Sequence, residues 1–247
     1  MDRSLRRVLV PVAFAVAAAA LASCSTAADL TLRANRSAVL ALSFEIPPAV
    51  EAKLRSFSSS ARAPAGMPLF DPASVAAGAK AKGLTVIEST SPRASAYRGS
   101  FSVNELDAFV TSSGLAAAGL FVLTRGASWA SLDINVTRQN ASILANLFPG
   151  MDRDLLEALQ PPALYDNPVT RAEYRSMLAA LLGKTAIEAL DAAVFSLSIS
   201  LPGPILENEG IAIPHAVGSY TSAQFTVAVL DALTLDTPVS FHIKWKE

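Results

Sequence analysis

The sequence predicts an α+β domain: a mainly antiparallel sheet with helices on one face and a helical insertion over residues 140–192. Three observations carry this. Runs that alternate apolar and polar residues recur along the chain, as in Val194–Leu201, where Phe195, Leu197, Ile199 and Leu201 share one face. Several neighbouring runs are separated by turns too short for a crossover, which only antiparallel pairs allow. Between the runs stand segments with helix-start signals and helical apolar spacing, concentrated from Asn140 to Ala192.

Taken in order, Asp29–Ala34 alternates, Asn35-Arg36-Ser37 turns, and Ala38–Ile46 resumes with Leu40, Leu42, Phe44 and Ile46 on one face, which makes a β-hairpin. Pro47-Pro48 opens a helix that places Val50, Leu54 and Phe57 together. Asp71-Pro72 is an N-cap followed by proline at the first helical position, and Gly83 suits the C′ position of that helix. Strands follow over 84–88 and 94–101. Ser102-Val103-Asn104-Glu105 has the spacing of a capping box, ahead of Leu106, Phe109 and Val110 and with Gly114 as the stop. Two more strands are expected over 117–124 and 128–137.

The helical block has three starts: one before Ile143, Leu144 and Leu147, one at Asp152, and a capping box at Thr170-Arg171-Ala172-Glu173, whose helix ends at Gly183. A short helix opens at Thr185. The chain then returns to strand at 194–201. Residues 202–222 form a long connection, unusual inside a compact domain. Its Ile205, Leu206, Ile211 and Ile213 give it an apolar content that needs a surface to lie against. The segment is either a cover over a ligand-binding surface, with those four side chains as the contacts, or a hairpin extension that closes the core. Strands over 223–230 and 237–245 end the chain.

The first 23 residues have the three parts of an export signal. Arg3, Arg6 and Arg7 stand against Asp2, an apolar stretch runs from Val8 to Ala22, and Leu21-Ala22-Ser23-Cys24 ends it. The apolar stretch is shorter than the roughly 20 residues of a membrane span. Those four residues resemble the lipobox of bacterial lipoproteins. The resemblance implies cleavage before Cys24, which then carries diacylglycerol on its thiol and usually a further acyl chain such as palmitate elsewhere on the same residue. Residues 24–28 would then be a short tether of at most about 14 Å, and 29–247 a single domain. Ser25 is not the aspartate of the inner-membrane retention pattern, which favours an outer-membrane destination where the organism has one.

Taking three Arg and one Asp of the signal from 20 basic and 21 acidic residues leaves 17 against 20. That balance excludes the basic footprint of a nucleic-acid binder. Cys24 is the sole cysteine, so no disulfide or thiolate metal site is expected once it is acylated. No cofactor or metal pattern appears, and no G-x-S-x-G, S-x-x-K or H-E-x-x-H motif. The two histidines are His215, in the long connection, and His242, which shares a polar strand face with Ser240 and Lys244. The sequence names no catalytic residue.

The alternating run 194–201, Pro202-Gly203, Asn208-Glu209-Gly210, a strand pair closing on Trp245 and a hairpin directly after the cysteine resemble the LppM-like envelope lipoproteins. The resemblance implies an α+β envelope domain without catalytic machinery that handles lipid or another apolar ligand; the helical block is an insertion in that pattern. Two function classes follow: a membrane-anchored, non-enzymatic binder of a lipid or apolar ligand, and an assembly lipoprotein that binds another envelope protein. A hydrolase, third, would need His215 or His242 beside a serine and an acid. A pocket of several hundred Å3 lined by apolar side chains favours the first class; a solid core with an exposed apolar patch favours the second.

Overall fold

In the computed structural model, which describes residues 25–57, 68–143, 159–165, 169–213 and 221–247, the alternating runs pair into two sheets where the sequence suggested one. The expected α+β class holds, and every strand pair is antiparallel except one. The larger sheet has the order β3-β4-β2-β1-β7-β9, built from β1 (Ser25–Leu32), β2 (Ala38–Glu45), β3 (Thr85–Arg93), β4 (Ala96–Val103), β7 (Val194–Ser200) and β9 (Ser222–Ala228). The smaller has the order β5-β6-β10-β8, from β5 (Phe121–Arg125), β6 (Trp129–Val136), β8 (Ile205–Glu209) and β10 (Val239–Lys246). The parallel pair, β1 with β7, is possible because most of the chain lies between those two strands.

Register carries apolar residues across the larger sheet in unbroken rows. Val86, Phe101, Leu40, Leu30, Ile199 and Ala223 are successive partners on one face. In the smaller sheet Leu123, Leu132 and Ile243 do the same. These faces meet in the main core, where Leu132, Ile199 and Ile243 lose all solvent contact.

Seven helices with defined bounds among the described residues close the fold: α1 (Pro48–Phe57), α2 (Pro72–Ala81), α3 (Leu106–Ser112), α4 (Pro162–Tyr165), α5 (Arg171–Leu182), α6 (Lys184–Asp191) and α7 (Val229–Thr234). Two caps form as their residues dictate. The Asp71 carboxylate accepts from the backbone N–H groups of Ala73 and Ser74, and Gly83 takes a positive φ of 84° just past the helix. Thr170 and Glu173 satisfy each other's backbone donors. The capping box expected at Ser102 does not form. Ser102 is committed to the ladder opposite Val39, the strand runs on to Val103, and α3 begins at Leu106 without a side-chain cap.

The helical block is not self-contained. α5 and α6 bury Tyr174, Leu178, Leu182, Ala186 and Ile187 against Val50 and Leu54 of α1 and Leu230 of α7. The helices expected around Leu144, Leu147 and Asp152 lie outside the described residues, as do the signal, Cys24 and His215.

Two boundaries differ from expectation. Residues 25–28, expected as a tether, belong to β1, with Ser25 opposite Val194 and Ala28 opposite Leu42 and Leu197. The strand reaches that far because both neighbours extend to meet it. The long connection also contains β8, which pairs with β10 through Ile205 opposite Trp245 and Glu209 opposite His242. The chain passes so close at Gly203 that a Cβ there would collide with the Lys246 carbonyl oxygen, so glycine is required. The strand expected over 223–230 stops at Ala228 and gives way to α7, a short helix that periodicity alone does not signal.

Candidate functional site

Where the two sheets part, they leave a cavity of about 440 Å3. Its walls are the inward side chains of the larger sheet, among them Ala28, Leu30, Leu40, Leu42, Phe195, Leu197 and Phe225, and those of Phe121, Ile134, Val239 and Phe241 in the smaller. α2 contributes Val75 and Ala79, and α3 contributes Leu106, Phe109 and Val110. Among the described residues every lining residue is Ala, Val, Leu, Ile or Phe, so none of these side chains presents a hydrogen-bonding group.

The cause lies in small residues at inward positions. Ala28 stands between Leu42 and Leu197, and Ala38 between Leu32 and Val103, where a larger aliphatic side chain would take up part of the space. Gly99 lies next in the row beyond Leu42, and its missing side chain makes room for the Tyr97 and Phe101 rings that cover it. Tyr97 itself is anchored: its hydroxyl lies 3.0 Å from Ser89 Oγ, which donates to the Pro72 carbonyl at 2.7 Å. Burial pushes the Tyr97 phenol above its ordinary range.

The cavity has a solid neighbour. Leu132, Ile199, Leu201, Ile243 and Trp245 fill the rest of the space between the sheets without lining it. Ile211 belongs to this solid part, at 6% exposure, and Ala212 exchanges two backbone hydrogen bonds with Gln224, at 2.9 and 2.7 Å. Ile205 packs partly buried against the same core, Ile213 is half-buried, and Leu206 points outward at 51% exposure. Of the four side chains that sequence singles out as ligand contacts, none lines the cavity.

The outer face of the smaller sheet is polar and holds His242. Its Nδ1 lies 2.6 Å from Asp133 Oδ1, its ladder partner, and Glu209 is its partner on the other side. Lys244 donates to Glu207 at 2.6 Å and stands over the Trp129 ring. That hydrogen bond holds the Glu207 carboxyl below its usual range. The acid a hydrolytic histidine would need is thus present, but among the described residues no serine hydroxyl bonds the ring. Among the described residues no cluster of three or more His, Cys, Asp or Glu could hold a metal ion. None of the described helices is long and apolar enough to cross a membrane.

The sequence missed the cavity-lining residues. The available signal was alanine at inward strand positions, which leaves room where valine or leucine would fill it.

No model of a protein family matches the chain, and no curated protein matches it. Among solved structures, the chain is similar to the folded domain of LppM from Mycobacterium tuberculosis, determined by NMR. The two are 10% identical, 91% of this chain and 90% of that chain are covered, and the TM-score is 0.38.

Proposed function

We propose that this chain is a non-enzymatic, lipid-anchored protein of the bacterial envelope that holds a lipid or comparable apolar ligand between its two sheets. The observation that carries the proposal is the all-apolar cavity of about 440 Å3. Ligand sites fall in this size range. An engineered cavity of about 150 Å3 lined by such side chains stays dry and admits benzene. By that ratio this one has room for roughly 18 carbon atoms, the size of one acyl chain.

Energetics point the same way: apolar wall left facing water is unfavourable, and an apolar ligand that fills the space removes that contact. The exposed large apolar side chains, by contrast, are distributed over β3, α4, α5, β7 and β8, which gives the assembly reading less support than the cavity gives lipid binding.

The anchor belongs to the same proposal. Acylated Cys24 would adjoin Ser25, already paired in β1, so the sheet would ride directly on the membrane rather than on a slack tether. Ligand contacts are assigned to the cavity wall rather than to Ile205, Leu206, Ile211 and Ile213.

Titration of the delipidated protein with a fluorescent acyl probe tests binding. Leu197 points into the cavity from β7, and Leu197→Trp should weaken the probe at least about tenfold while the fold and thermal transition persist. Unchanged affinity in a folded variant would place the probe elsewhere.

A further inference from the structure

A second depression, of about 460 Å3, shares two wall residues with the apolar cavity, Phe225 and Val239. Besides Val227 and Pro238, its other walls are polar: Arg171 at the start of α5, Asp231 in α7, and Asp236, Thr237 and Ser240 at the entry to β10. An amphiphile with its chain between the sheets would place its head here.

The charges in this vestibule cancel. Arg171 Nε lies 2.7 Å from Asp231 Oδ1, yet its buried N–H makes no hydrogen bond among the described residues. Asp236 Oδ1 lies 3.5 Å from Arg138 Nη2, and that guanidinium also donates to the carbonyls of Thr234 at 2.7 Å and Val169 at 2.8 Å. Each cation therefore already faces a carboxylate. A carboxylate or phosphate head entering the vestibule would meet two aspartates, and among the described residues each guanidinium there already faces one of them, whereas the free Arg171 Nε–H needs only a neutral acceptor. A hydroxyl, by contrast, donates to a carboxylate and accepts from a guanidinium or from the Thr237 and Ser240 hydroxyls.

Resting on the lipid-binding proposal above, we infer that the ligand is an amphiphile with an uncharged, hydroxyl-bearing head, of the acylglycerol class. Its acyl chain lies in the cavity, and its hydroxyls lie among Arg171, Asp231, Asp236 and Ser240. Free fatty acids and anionic phospholipids are disfavoured by the two aspartates.

Mono-olein and oleate share one chain and differ in the head, so competition between them isolates the vestibule. On the delipidated full chain at pH 8, mono-olein should displace the acyl probe at about tenfold lower concentration than oleate. Asp231→Asn with Asp236→Asn leaves the guanidinium groups in excess, and should improve oleate about tenfold while changing mono-olein little. Equal or tighter binding of oleate to the wild-type protein would overturn the inference but leave the cavity proposal intact. So would a preference for mono-olein that the double variant does not alter. Failure of both lipids to displace the probe would overturn both. Should the double variant not fold, the wild-type comparison alone decides.

Discussion

Ala28→Leu separates a ligand cavity from a packed core, because the two predict opposite signs of stability. Ala28 is 3% exposed, lies inward on β1 between Leu42 and Leu197, and lines the cavity. In a filled core three added carbons would force off-rotamer packing and cost about 1–3 kcal/mol. In an apolar cavity the same carbons enter space lined by apolar side chains. At about 0.8 kcal/mol per buried methylene they should stabilise the unliganded protein by up to about 2 kcal/mol. For a chain of this size that raises the melting temperature by about 4–8 °C. The leucine also takes volume from the ligand, so affinity should fall. Differential scanning calorimetry of the delipidated variant, with and without the acyl probe, reads both effects. A lower melting temperature without ligand, or a ligand-induced rise equal to that of the wild type, would refute the assignment of Ala28 to a ligand wall.

Three further outcomes are expected. Tyr174 is buried in the helical core, where its hydroxyl donates to the Leu159 carbonyl at 3.0 Å and burial raises the phenol pKa far above its ordinary value of 10.0. Its contribution is therefore present in full below the unfolded value and is lost as pH rises from there through the folded value. Urea unfolding from pH 9 to 11.5 should show stability falling, and Tyr174→Phe should flatten that fall; an equal slope in both would contradict the burial argument. Trp245, 1% exposed, keeps an indole N–H with no partner among the described residues. Trp245→Phe should cost less than about 1.5 kcal/mol because it removes an unsatisfied donor, whereas Trp245→Ala should cost about 3–5 kcal/mol, both read from chemical denaturation. Cys24→Ala should leave the precursor unprocessed or release the protein from the membrane, as fractionation and intact mass would show; processing and membrane retention as before would contradict the lipobox.

What was legible in the sequence was whatever local chemistry decides. Asp71-Pro72 with Gly83, and Thr170 with Glu173, carry their helix ends within four residues or at one glycine, and the structure places those caps as expected. The hairpin of β1 and β2 and the alternation of 194–200 were visible because one face of each strand is apolar. What was not legible depends on partners distant in sequence. Ser102 has the spacing of a cap, yet its ladder to Val39 takes precedence. Ile205–Glu209 is a strand because β10 offers it an edge, although its own sequence alternates poorly and begins beside Pro204. That the strands divide into two sheets is invisible locally, since β6 and β7 alternate in the same way and join different sheets. The cavity was hidden for the same reason. Ala28, Ala38 and Ala79 read as weak core residues one at a time, and only their convergence across two strands and a helix leaves a space.

Native mass spectrometry of the protein extracted gently from its own membrane asks directly whether the space between the sheets is filled. The predicted result is a bound species of one lipid per chain, retained by the wild-type protein, lost on delipidation and absent from Leu197→Trp. A wild-type chain whose mass accounts for the polypeptide and its Cys24 modification alone, or a lipid retained equally by Leu197→Trp, would contradict it.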